Sequence, residues 1–231
     1  MEKKKKTILI ATIIGIVFAG AVGLACVSIF GGFSAKKYVD AVLDQVVKGD
    51  VSAVVGMTKG LTEDAAKKQH EQTVEGFLNN VIDAGSLPLD EEQKKECVKA
   101  CKKIFGELNY QVTSEKKKGS DEYEVTVKFK VSNVIATLKT LLEAENARIN
   151  EKVENGEYRG TSMEEIDTQM KAEYAANLAE ILEEAAKTMK DGESQTMTMT
   201  VKKGENGLYV LEGAQISQFL SKIMGLSEKQ D

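Results

Sequence analysis

The sequence predicts an α+β protein: an N-terminal transmembrane helix, then helices packed on one face of an antiparallel sheet built from two hairpins. Three observations carry this. A long uncharged apolar run follows a lysine cluster at the N-terminus; hydrophobic residues then recur at helical spacing in long capped stretches; and twice the period changes to alternation around a turn. With 42% apolar and 29% charged residues and a single proline, no Pro-rich linker divides the chain. Two segments follow: 1–33 as a membrane anchor and 34–231 as one extracytoplasmic α+β domain.

The anchor is read from "KKKKTILIATIIGIVFAGAVGLACVSIFGGF". No charged residue occurs in the 27 positions from Thr7 to Phe33, whereas about 20 helical residues cross a bilayer core. A cleaved secretory signal has an apolar stretch of only about 7–15 residues. Lys3 to Lys6 stay cytoplasmic by the positive-inside bias, so the chain crosses once, contacts the bilayer through residues 7–33, and exports the rest. The alternative is a lipoprotein signal. Gly23-Leu24-Ala25-Cys26 resembles a bacterial lipobox, with Cys26 as the candidate lipidation site. Ala25 fits that pattern, but Gly23 and Leu24 do not, and the chain stays apolar after Cys26. The uncleaved helix is therefore preferred.

Beyond the anchor, Ser34 caps a helix presenting Tyr38, Val39, Val42, Val46 and Val47, stopped at Gly49. Asp50 caps a short turn through Met57. Thr62 opens a longer helix, with Ala66, His70, Val74, Phe77, Leu78, Val81 and Ile82 along one stripe. Asp90 and Gln93 have capping-box spacing and start a helix with Cys97, Cys101, Ile104, Phe105 and Leu108 on one face. In "DEYEVTVKFKV", Tyr123, Val125, Val127, Phe129 and Val131 alternate with polar residues, and "NYQVTSE" is the partner strand. A helix from Val134 to Val153 follows. Thr161 and Glu164 form a second capping box, opening a helix with Ile166, Met170, Tyr174, Leu178, Ile181, Ala185 and Met189 inward. The second hairpin sets Met197, Met199 and Val201 against Thr196, Thr198 and Thr200, turns at Asn206-Gly207, and returns through Leu208 to Leu211. A closing helix presents Ile216, Phe219, Leu220 and Ile223.

Several chemistries are disfavoured. Four of the 31 basic and one of the 36 acidic side chains lie in the first six residues. The remainder, 27 against 35, is acidic and lacks a basic stripe, so no nucleic-acid partner is expected. His70 is the only histidine, which removes multi-histidine metal sites and leaves a packed histidine as the ordinary reading. Cys97 and Cys101, one helical turn apart, read as small buried hydrophobes. A disulfide there would have awkward geometry and constrain little. Met197 and Met199 read as a dry strand face and not as copper ligands. No phosphate-binding, dinucleotide, nucleophile-elbow or metalloprotease motif occurs, and neither catalytic residues nor a cofactor are assigned.

The run "YVDAVLDQVVKGDVSAVVGMTKGLTEDAAKKQHEQTVEGF", with "KKIFGELNYQV" and "YEVTVKFKV", resembles uncharacterised membrane- or lipid-anchored extracytoplasmic proteins of Gram-positive bacteria, clostridia among them. "TMTMTVKKGENGLYVLEG" is similar to the strand-turn-strand of cystatin-like and NTF2-like domains, in which a curved sheet embraces helices. Tryptophan often occupies the return strand there; here it is Tyr209, and no catalytic set carries over. The resemblance implies a cell-envelope location and supplies no activity. The expected function is a non-enzymatic module binding an envelope protein, a glycan or a small ligand. One alternative is a hydrolase or isomerase of NTF2-like type with a pocket lined by His70, Tyr110, Tyr123 and Phe129. Another is an accessory subunit of a membrane complex, marked by an exposed apolar patch.

Overall fold

The structure, a computed structural model, describes residues 24–26, 33–58, 60–160, 162–204 and 207–226. The anchor helix expected over 7–33 therefore lies outside the described residues, apart from Phe33 and Leu24–Cys26. Those three residues are extended and form strand β1, so the expected helix does not run unbroken to Phe33. No helix among the described residues is long and apolar enough to cross a membrane.

Ser34 caps the first long helix as predicted. Its backbone is extended, and its Oγ accepts the Lys37 N–H (3.2 Å), capping α1, Ala35–Leu43. The helix widens into a π turn over Asp44–Lys48 and ends at Gly49, whose φ of 71° suits a residue without Cβ. Tyr38, Val39, Val42, Val46 and Val47 are buried, and so is Gln45, which the apolar spacing did not mark. α2 (Ser52–Met57) follows, with the Asp50 carboxylate accepting the Ser52 N–H. Thr62 Oγ1 accepts the Ala65 N–H at the start of α3 (Glu63–Gly85). Asp90 and Gln93 form the predicted reciprocal box on α4 (Glu91–Gly106).

Strands β2 (Tyr110–Lys117) and β3 (Glu122–Ser132) make the first hairpin; β4 (Asp191–Lys203) and β5 (Tyr209–Leu211) make the second. Helices α5 (Val134–Glu154) and α6 (Met163–Thr188) connect them. The hairpins fuse through β3 and β4, which pair antiparallel with Val127 opposite Met197 and Val125 opposite Met199. The antiparallel sheet thus runs β5-β4-β3-β2, and β1 lies antiparallel beside β5, with Leu24 opposite Leu211 and Cys26 opposite Tyr209. Val112, Val125, Val127, Phe129, Met197, Met199, Val201 and Leu211 are buried, whereas Lys128, Lys130, Thr196 and Thr198 are exposed. Alternation sorts these side chains to one covered and one open face, as strand geometry requires. α1 and the closing helix α7 (Gly213–Ile223) pack on the sheet, with Ile216, Phe219, Leu220 and Ile223 fully buried.

One cap is corrected. α6 is capped by Ser162, extended in backbone, whose Oγ accepts the Glu165 N–H (3.2 Å). The capping residue is the one whose side chain reaches the third helical N–H, and the helix starts one residue later than a cap at Thr161 allows; Thr161 itself lies outside the described residues. Against α5, the α6 residue Glu173 takes Arg148 (2.7 Å), Lys152 (2.7 Å) and Tyr158 Oη (2.7 Å), holding the two helices side by side.

Candidate functional site

The four residues predicted to line a pocket are distributed over three places. Tyr110 and Phe129 meet on the covered sheet face, where Phe219 of α7 inserts its ring edge-on to both, with centroids 5.6 and 5.5 Å away. Phe129 is 1% exposed and Phe219 fully buried, so the space between sheet and helices is occupied by side chain at this point. The Tyr110 hydroxyl donates to Asp44 Oδ1 (2.7 Å), and Lys48 Nζ reaches the same oxygen (2.8 Å) while lying over the Tyr110 ring. Burial, then the Asp44 contact, pushes the Tyr110 phenol far above its ordinary range, so it serves as a hydrogen-bond donor and not as an ionised base.

His70 sits apart, in the helical layer. Its Nδ1 lies 3.0 Å from the Val46 carbonyl oxygen; this nitrogen carries the proton and donates, leaving Nε2 unprotonated. The ring stands edge-on to Phe105 (6.4 Å) and against Gly49, where a Cβ would come within 2.9 Å of His70 Cδ2. Burial lowers its pKa from the ordinary 6.5, against the opposing effect of the Val46 bond. Tyr123 belongs to a third cluster at the hairpin tips: Phe33 stacks on Tyr209 (3.7 Å, 6°), and Tyr123 meets both rings edge-on. This cluster fixes Phe33, next to the Ser34 cap, to the sheet.

Cys97 and Cys101 are free thiols buried under α4, as the apolar spacing predicts. Burial pushes Cys97 up to about 11 and Cys101 higher still, which leaves both un-ionised and poorly nucleophilic. Among the described residues no group of three or more His, Cys, Asp or Glu side chains converges on a metal position. Cys26 contributes backbone to β1 beside Tyr209.

Sequence reasoning missed a depression of about 370 Å³ on the open side of the second hairpin, lined by Thr200, Lys202, Gly204, Val210, Glu212 and Gln215. Its floor is the outward face of β4 and β5; its wall is the start of α7. The wall forms because β5 stops after three residues. Gln215 then takes the place of the next strand residue: its Oε1 accepts the Thr200 N–H (2.6 Å) and its Nε2 donates to the Thr200 carbonyl (3.0 Å). Only the shortness of "LYVL" before Glu212 hinted at this. A hydroxyl, an ammonium, a carboxylate and a carboxamide around Val210 can hold a polar ligand by hydrogen bonds and charge.

Fold and site together define an α+β domain with one sheet face filled by helices and the other open and polar. Comparison of the chain with protein-family models, curated proteins and solved structures finds no match.

Proposed function

We propose that the chain is a non-enzymatic binding module of the bacterial cell envelope, tethered by one uncleaved transmembrane helix with the domain outside. The tether rests on the uncharged run behind Lys3–Lys6. The observation that carries the binding reading is the filled interface: Phe219 lies between Tyr110 and Phe129, where an NTF2-like enzyme would keep its pocket. Both polar groups expected to line that pocket are already engaged: Tyr110 donates to Asp44 and His70 to the Val46 carbonyl. The ligand, an envelope protein, glycan or small polar molecule, then binds on the open face at the depression around Lys202 and Gln215. Large hydrophobic exposure among the described residues is confined to Met163, which favours this reading over an accessory subunit held by an apolar patch.

A thermal-shift screen of the full-length chain in detergent micelles, against glycan fragments, peptides and small polar ligands, tests the reading. A hit should disappear in Lys202→Ala and survive in His70→Ala. A hit lost in His70→Ala and kept in Lys202→Ala would replace the binding module by a pocket near His70. Mass spectrometry of the native N-terminal peptide tests the tether independently: diacylglycerol on Cys26 would refute the uncleaved helix.

A further inference from the structure

Among the described residues, and apart from the three-residue β1, the sheet has one unguarded stretch of edge. On the β2 side, the register shifts between Val112 and Ser114, Lys116 and Lys117 follow, and Lys36 Nζ occupies the Thr113 carbonyl (3.1 Å). Bulges and lysines are standard protection against strand addition. At the other end β1 pairs with β5. β5, however, covers only Val201–Lys203 of β4, and Gln215 covers Thr200. Below Thr200, β4 pairs with β3 alone.

The direction of the backbone groups there follows from the bonds on either side. Thr200 gives both its N–H and its carbonyl to Gln215, so it faces away from β3, and antiparallel alternation makes Thr198, Thr196 and Ser194 do the same. Lys130, opposite Ser194, sends its N–H to Asn109 on the β2 side, which agrees. Ser194, Thr196 and Thr198 are all exposed. Their outward N–H and carbonyl groups have no protein partner among the described residues; water can hydrate them one by one, and another extended backbone can pair with the whole row at once.

We infer that this edge is the contact between two copies of the chain, β4 pairing with β4 of the second copy in antiparallel register about Thr196. The stretch is bounded by the Gln215 plug above and by Asp191, which binds Lys130 and Asn109, below. A twofold axis at Thr196 sets Thr196 opposite itself and Ser194 opposite Thr198, so all three outward residues of each copy find partners. The row of facing side chains is then entirely hydroxyl, a favourable cross-strand combination. Ser194, Gln195, Thr196, Met197 and Thr198 carry no charge, so the repulsion between two copies of a chain with net charge −5 is not concentrated here. The guarded β2 edge stops growth at two copies, as a closed isologous contact requires.

The test uses the full-length chain in detergent micelles with Cys26→Ser, since the other two cysteines are buried. In the paired register the two Thr196 Cα atoms lie about 5.5 Å apart, inside disulfide reach. Thr196→Cys should therefore cross-link to a covalent dimer under mild oxidation, while Lys128→Cys, on the neighbouring interior strand, should not. Adding Thr198→Pro deletes one outward N–H that the domain itself does not use, and should cut the cross-linked fraction roughly tenfold or more. In the unaltered chain, amide exchange at Ser194, Thr196 and Thr198 should slow as concentration rises, a readout independent of whether the proline variant folds. A monomer at all concentrations, equal cross-linking at Lys128→Cys, exchange independent of concentration, or another protein's strand on this edge would each overturn the inference.

Discussion

Replacing Phe219 by alanine tests the packing on which the functional reading rests. The ring is fully buried and stands edge-on to Tyr110 and Phe129. Deleting a buried phenylalanine costs about 3–5 kcal/mol, which includes about 0.5–1.5 kcal/mol for each edge-to-face pair. At about 2–4 °C per kcal/mol for a domain of this size, the melting temperature should fall by roughly 6–20 °C. Calorimetry or near-ultraviolet circular dichroism of the full-length chain in micelles measures it. Met163→Ala, on a half-exposed side chain, serves as control and should change stability by no more than about 0.5 kcal/mol. A fall of under about 2 °C in Phe219→Ala would mean that α7 rides loosely on the sheet, and the interface would again be available to a substrate.

His70 should make stability depend on pH. Its folded pKa is depressed below 6.5, so the unfolded chain binds the proton more readily. The contribution is complete above 6.5 and is lost as pH falls below it; melting curves should show this slope in the parent chain and lose it in His70→Gln. Cys97 and Cys101, buried as un-ionised thiols, should resist a thiol reagent in the folded state and react on denaturation; fast labelling at pH 8 of the native chain would contradict their placement. Gly225→Ala should destabilise by about 1–3 kcal/mol in denaturant titration, because φ is 76° and a Cβ would collide with the Ser132 carbonyl oxygen; a neutral result would refute that geometry.

Local signals predicted most of the domain because each was physically self-contained. Ser34, Thr62 and Asp90 cap the helices they precede, since a short side-chain oxygen next to an apolar repeat needs no distant partner. Tyr123 to Val131 and Met197 to Val201 alternate in burial because a pleated strand has only two faces. What was not legible depends on long-range placement. Nothing near Gln45 marks it as buried; it is so because the π turn rotates it against α3, where its Nε2 reaches the Ala66 carbonyl. Likewise, the pairing of β3 with β4 and the plug formed by Gln215 arise between segments tens of residues apart or at the accident of where a strand stops. The pocket expected from His70, Tyr110, Tyr123 and Phe129 assumed that aromatic and polar residues on inward faces converge. Phe219 brings two of them together, and the helical layer and the hairpin tips hold the other two apart.

The segment Gly23-Leu24-Ala25-Cys26 carries two readings that exclude one another. As a lipobox it is cut between Ala25 and Cys26; as β1 it pairs Leu24 with Leu211 and Ala25 with Val210. The cut removes two of the three pairs, and one residue does not hold a strand, so lipidation would leave the outer edge of β5 bare. Retention of β1 has its own consequence for the proposed tether. A transmembrane helix must then finish by Gly23, and Thr7–Gly23 is 17 residues, about 25 Å at 1.5 Å per residue. That is the short end of what crosses a bilayer. Sheet and tether would meet without a spacer, because the residue after the last membrane position already belongs to the fold.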